Sequence, residues 1–262
     1  MPSSGAIRKI VSAALTKLAA ALAFYTSLPI PTTWTLDFRS VAQFAPLVGL
    51  LLAGLLGGLD WGLAGLGLPS LTRSALVVVT WIALTGGLHL DGVMDTADGL
   101  AVPDEQRRLE VMTDSHTGAF GVMAAIALLL LKLTALSDLS QPCWFALMLA
   151  AGWGRWGQQV AIVQYPYLKP TGKGAFHKAA LPSRWLLLPG MALMLAVTGL
   201  GVISGQVSWL TGAALLAGGM AIAAVTAAWF AHRLGGHTGD TYGAVVEWTE
   251  AGMLVAFLLL GK

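Results

Sequence analysis

Runs of about 20 apolar residues recur along the whole chain, each long enough to cross roughly 30 Å of hydrocarbon. Such runs must satisfy their backbone hydrogen bonds inside lipid, which only helices and closed barrels do. The runs are continuous, not alternating, which argues against a barrel. The fold expected is all-α, a polytopic helical membrane protein with about seven transmembrane helices. The candidate spans are residues 41–59, 71–90, 117–136, 143–164, 185–204, 208–231 and 242–260. A further apolar stretch, 7–28, carries Arg8, Lys9 and Lys17 at helical spacing and ends in "SLPIP". It is read as an interfacial or re-entrant helix rather than a full span. Residues 1–262 are taken as one integral-membrane domain, with no cleavable signal peptide and no internal repeat evident. Only 11% of the residues are charged, well under the soluble average of about 25%. A net charge of +2 argues against a nucleic-acid partner. The single cysteine, Cys143, excludes a disulfide framework or a cysteine-built zinc site.

Alternating the loops between these spans puts residues 31–40, 91–116, 166–184 and 232–241 on one side. Residues 60–70, 137–142 and 205–207 fall on the other. The first set holds Arg39, Arg107, Arg108, Lys169, Lys173, Lys178, Arg184 and Arg233; the second holds no Lys or Arg. The excess of basic residues makes the first set cytoplasmic. Nearly all the polar clusters of the chain then lie on that same face.

The sharpest of them is "HLDGVMDTADGL", residues 89–100. Asp91, Asp95 and Asp98 are spaced i, i+4, i+7, and so share one helical face. Three like charges beside lipid repel, and something positive must offset them. Hard oxygen ligands suit Mg²⁺, with Mn²⁺ as a substitute, held by one or two carboxylates and by substrate phosphates. Acids bathed in solvent and binding nothing are the plainer alternative. His89 is either a ligand or substrate contact, or a helix-end histidine bonded to backbone. Gly86 and Gly87 before it are placed to break or kink the helix.

Two more clusters follow. "RRLEVMTDSHTGAFG", residues 107–121, sets Asp114 and Ser115 just before a span, where a helix N-terminus suits phosphate. Asp114 serves either metal and substrate or only as an N-terminal cap. Arg107 and Arg108 either clamp phosphate or only mark the cytoplasmic side. "RLGGHTGDTYGAVVEWTEAG", residues 233–252, places Thr238 and Asp240 at another helix start, with Glu247 seven residues on and Glu250 three beyond it. Acids within a span are functional candidates by default; structural pairing with Arg155, in another span, is the alternative. Asp240 is taken as a metal ligand and Glu247, deeper in the span, as the general base. The loop 164–184 carries Tyr165, Tyr167, Lys169, Lys173, His177 and Lys178 among Pro and Gly. It is either a lid whose lysines meet phosphates or an ordinary basic interfacial loop. Together these clusters suit a metal-bound diphosphate, since metals neutralise the charge that develops in phosphoryl transfer.

These segments, with "FYTSLPIP" (24–31), "FAPLVGLLLAGL" (44–55), "TGGLHLDGVMDTADGL" (85–100), "PYLKPTGKGAF" (166–176) and "GGHTGDTYGAVVEWTE" (235–250), stand in an order that resembles the cobalamin synthase family, the adenosylcobinamide-GDP ribazoletransferases. The resemblance covers nearly the whole chain. Leu90 stands where the family often has an acid after the motif histidine. The resemblance implies an Mg²⁺-dependent enzyme of the cytoplasmic (inner) membrane, its active face cytoplasmic. Its partners would be adenosylcobinamide-GDP and α-ribazole or its 5′-phosphate; its products would be adenosylcobalamin or its phosphate, and GMP. It leaves room for a homo-oligomer and for association with other corrinoid-pathway enzymes. On this reading Asp91, Asp95, Asp98 and Glu247 are catalytic. Asp91, Asp95, Asp98, Asp114 and Asp240 hold metal. His89, Arg107, Arg108, Ser115, Lys169, Lys173 and Thr238 contact substrate.

Rival readings fit less well. A CDP-alcohol phosphatidyltransferase opens its motif with Asp-Gly and an Ala-Arg pair, whereas Val93, Met94 and Asp95 follow Asp91-Gly92 here. A prenyltransferase wants two Asp-rich motifs. A transporter wants repeat symmetry and polar groups on both faces.

Overall fold

The computed structural model describes residues 4–139, 143–169 and 174–261, and among them regular structure is helical apart from one isolated β-bridge, Tyr167 with His237. Eleven α-helices follow in order: α1 (Ser4–Tyr25), α2 (Ala45–Gly65), α3 (Ser70–Thr85), α4 (Leu88–Ala101), α5 (Glu105–Val111), α6 (Ala119–Ser137), α7 (Trp144–Gln164), α8 (Ala175–Ala180), α9 (Leu188–Ile203), α10 (Trp209–Leu234) and α11 (Gly239–Leu260). Short 3₁₀ turns at Phe38–Phe44 and Arg184–Leu187 lead into α2 and α9. Seven of the helices, α2, α3, α6, α7, α9, α10 and α11, fall on the seven expected spans.

Five of those seven are long and apolar enough to cross a bilayer alone: α2 and α9 with their leading turns, α6, α10 and α11. The other two depart from expectation for separate reasons. The stretch 71–90 is not one straight span. It ends at Thr85, where Gly86 and Gly87 adopt left-handed backbone, φ +61° and +71°, and the chain turns by 89° into α4. Two successive left-handed residues are tolerable only for glycine. The amide of Gly87 closes α3 by donating to the Ile82 carbonyl at 3.0 Å.

The second exception, α7, carries "AAGWGRWGQQ" and is less apolar than its neighbours. It is instead the most enclosed helix, buried almost without interruption from Phe145 to Ile162 against α2, α9, α10 and α11. Its glycines let those helices approach: Gly154 meets Val246 and Glu250 of α11, and Gly157 meets Ala223 of α10 and Thr249 of α11. An inner pillar needs close packing more than it needs lipid-soluble side chains. The apolar part of α1, Ser12–Tyr25, is shorter than a span. Its inner end, Ala20, Ala21 and Tyr25, packs on Val41, Ala45, Val48 and Leu52.

Connecting segments segregate to the two ends of the bundle as the alternation of loops requires. At one end Leu168 N–H donates to the His237 carbonyl at 2.8 Å and Arg108 reaches the Arg233 carbonyl at 3.1 Å. Gln43, at the head of α2, donates to the Ala180 carbonyl at that same end. At the other end Arg73 pairs with Asp60 at 3.3 Å, and Ser70 donates to the Ser137 carbonyl.

Candidate active site

The break after Thr85 turns α4 across the end of the bundle, onto the start of α11. The two helices touch through glycines. A side chain at Gly92 would collide with the Asp240 backbone, and one at Gly243 with that of His89. This crossing, with Gly92, Val93, Thr96 and Gly99 on the buried face of α4, leaves Asp91 exposed and Asp95 half-buried toward Asp240. Thr238 caps α11 and its hydroxyl bonds Asp240 at 3.1 Å. Asp240 lies in the first turn, where the helix dipole favours a negative charge. Lys169 is 3.4 Å from the Asp240 carboxylate.

Asp95 is raised to about 7, first by burial and then by the neighbouring carboxylates of Asp91 and Asp240, with Lys169 acting the other way. Among the described residues Lys169 alone offsets these acids, so a divalent cation suits the spot by its chemistry. Among the described residues no three His, Cys, Asp or Glu side chains are close enough to hold a metal ion by themselves.

The set of five aspartates is therefore not gathered. Asp98 faces away, its two oxygens accepting the Gly118 and Gly121 amides at 2.7 and 2.8 Å and tying α4 to the start of α6. Asp114 sits on an exposed turn and bonds His116, which holds its carboxyl below the usual range. Ser115 and Arg107 are also exposed. Arg108 is spent on the carbonyls of Val102 and Arg233 and on Glu105. Lys173 lies outside the described residues.

Glu247 is also elsewhere. Lys132 of α6 donates to it at 2.6 Å and also bonds Glu250, which pairs in turn with Arg155. These four residues are all 5% exposed or less, and their charges cancel. Arg155 was the partner the sequence offered; Lys132, which binds both acids, stood in a span without any motif.

Between the acidic crossing and this ion cluster lies a cavity of about 300 Å³. Asp91, Gly239 and Asp240, among its less buried lining residues, form its mouth, and Tyr25, His89, Gln158, Gly174, His177 and Tyr242 its inner wall. His89 is thus a cavity residue and not a helix-end histidine bonded to backbone; its Nδ1 faces Arg155 at 3.5 Å. Burial, then Arg155, lowers its pKa well below the ordinary value. Tyr25 is sandwiched between His89 and His177, ring centroids 6.0 and 6.1 Å away. Tyr25, Gln158 and Tyr242 had no role in the sequence reading. "FYTSLPIP" was the only pointer to Tyr25, and nothing marks a lone glutamine inside an apolar span as facing a cavity.

Known proteins agree with the motif pattern. A protein of Trichormus variabilis named adenosylcobinamide-GDP ribazoletransferase is 59% identical over 96% of this chain and all of its own length. Proteins with that name from Synechococcus elongatus and Desulforamulus reducens are 52% and 40% identical, over 93% and 92% of this chain and 96% and 95% of their own. No solved structure matches the chain. The family model described as cobalamin-5-phosphate synthase matches residues 17–258, which include every residue of the acidic mouth and the cavity, and the chain belongs to that family.

Proposed function

We propose that the protein joins α-ribazole, or its 5′-phosphate, to adenosylcobinamide-GDP. The products are adenosylcobalamin, or its phosphate, and GMP. A ribose hydroxyl oxygen attacks the phosphorus next to cobinamide, the bond to the GMP oxygen breaks, and the hydroxyl proton is released. What supports this reading most is that Asp91 and Asp240 line a ring-walled cavity, with Lys169 against Asp240 and Asp95 within the field of both acids, in a chain whose relatives carry that enzyme's name.

Two of the three carboxylates Asp91, Asp95 and Asp240 would hold Mg²⁺, with water and substrate phosphate completing its ligands. When bound, Mg²⁺ neutralises charge on the diphosphate oxygens. The chain's own part is positional. Thr238 fixes the Asp240 carboxylate, Lys169 offers a cation to phosphate, and the glycine crossing of α4 and α11 sets the distance between the acids. The excess of basic residues in the loops at this end supports a site on the cytoplasmic face of the inner membrane. A single catalytic domain spanning the chain is part of the proposal, and partnership with other corrinoid enzymes is compatible with it.

The test is GMP release from adenosylcobinamide-GDP and α-ribazole by protein purified in detergent. Wild-type protein should turn over with Mg²⁺, and Asp91→Asn or Asp240→Asn should lose at least about 10²-fold. Activity without any membrane gradient excludes transport as the main job. Absence of GMP release by folded protein with Mg²⁺ or Mn²⁺ would sink the reading.

A further inference from the structure

Tyr25, His89, Gln158, His177 and Tyr242 are each 3% exposed or less, and all face the cavity. The Tyr25 and Tyr242 hydroxyls, His89 Nε2, His177 Nδ1 and Gln158 Oε1 have no hydrogen-bond partner among the described residues. The Tyr25 hydroxyl has the Gln158 side chain as a neighbour, but without a bond of normal geometry. Leaving one buried polar atom unsatisfied costs about 1–3 kcal/mol. Five around one space mark a wall shaped for a polar partner.

We propose that this cavity is a nucleoside subsite, taking the planar heteroaromatic ring and ribose of one substrate while its phosphates stay at the acidic mouth. The proposal rests on the transferase reading above. Three observations narrow the ligand. The free polar atoms are hydroxyls, an amide oxygen and imidazole nitrogens, and the nearby buried cations Arg155 and Lys132 are already paired with Glu250 and Glu247. The inner wall therefore suits neutral hydrogen-bonding groups and not a phosphate or carboxylate. Phe24, Tyr25, His177 and Tyr242 supply ring faces and edges, the surface on which a flat ring packs. The volume of 300 Å³ equals that of about ten waters. That holds a ring and a sugar, and excludes a corrin macrocycle.

Two nucleosides take part in the reaction, the guanosine of the GDP half and the acceptor riboside, and they share this chemistry. Titration of purified protein with GMP and with α-ribazole separates them. Tyr25→Phe, Tyr242→Phe and Gln158→Met each remove a polar atom that has no partner among the described residues. Each should weaken one nucleoside about tenfold, the worth of one hydrogen bond, with the melting midpoint unchanged or raised. Weakened GMP assigns the subsite to guanosine; weakened α-ribazole assigns it to the acceptor. Unchanged affinities for both in all three variants overturn the subsite. So does a loss of binding that comes only with a lowered melting midpoint, because the groups would then be serving the fold. Wild-type protein that binds a nucleoside but releases no GMP from adenosylcobinamide-GDP sinks the transferase reading and leaves the subsite standing. Active wild-type protein with unshifted variants sinks the subsite alone.

Discussion

Glu247 and Asp98 carry carboxylates whose partners decide their duty. Lys132 holds Glu247 inside a neutral buried cluster, away from the residues that line the cavity. Breaking a buried ion pair from one side costs about 3–5 kcal/mol, because the other charge is left uncompensated. Glu250 still faces Lys132, so Glu247→Gln should fall at the low end, about 3 kcal/mol, seen as a lowered melting midpoint in detergent. The acidic limb of the pH–rate profile should stay where wild-type has it. A shifted limb at unchanged stability would restore Glu247 as the base. Asp98 ties two backbone amides of α6 to α4. Asp98→Ala should cost about 1–3 kcal/mol and leave the Mg²⁺ requirement alone, whereas Asp91→Asn should raise it. A higher Mg²⁺ requirement for Asp98→Ala at wild-type stability would put Asp98 back among the ligands. The sequence showed which acids share a helical stripe. It did not show that the stripe is divided between a cavity mouth and a helix start, because the amides of Gly118 and Gly121 that take Asp98 are some 20 residues away and carry no side chain to mark them.

The bend at Gly86 and Gly87 aims the acidic helix. Its place was legible, since two glycines end an apolar run just before the acids. Its angle was not, because 89° is fixed by the docking of α4 on α11, through Gly92 and Gly243 more than 150 residues apart. Gly87→Ala forces a side chain into left-handed backbone, at about 1–2 kcal/mol, and should tilt α4 away from Asp240. Turnover should fall by at least about tenfold. Gly205→Ala is the matched control, with φ +73° and open space around it at the far end of the bundle. It should cost similar stability and leave turnover unchanged. Equal losses in both variants would mean that general destabilisation, and not the aim of α4, sets the rate. The inner helix α7 teaches the converse. Its Gly, Trp, Gln and Arg content makes it a poor span by composition, yet Arg155 and Gln158 are tolerated because other helices surround them.

At the scale of the molecule, the alternation of loops can be tested by labelling. In a Cys143→Ser background, a cysteine at His116 or Pro182 should resist an impermeant thiol reagent outside intact cells, and one at Gln206 should react. All three positions are exposed, so reaction at His116 or Pro182 would overturn the topology. The whole fold also responds to pH through groups buried at the site end. His177 and His237 are each lowered to about 4, chiefly by burial. Burial keeps His237 neutral against the bond to the Ala227 carbonyl, which alone would favour the protonated ring; the other ring nitrogen meets the Thr241 hydroxyl. An unfolded histidine titrates near 6.5. Between about 6.5 and 4 the unfolded state therefore binds more protons at both positions, and stability falls as pH falls through that window. Asp95 acts oppositely: raised to about 7 from 3.8, it takes up its proton sooner in the folded state and favours the fold as pH falls. His89, lowered likewise by burial and then by Arg155, acts with these two, and three histidines against one aspartate leave a net loss in acid. The melting midpoint in detergent, without Mg²⁺, should drop from pH 7 to 4.5. His237→Gln should flatten that drop, by up to about 3 kcal/mol for a shift of this size, while being less stable than wild-type at pH 7 for want of a well-fitted bond. Parallel midpoint curves for wild-type and His237→Gln would show that His237 does not titrate between the two states and that acid sensitivity arises elsewhere in the chain.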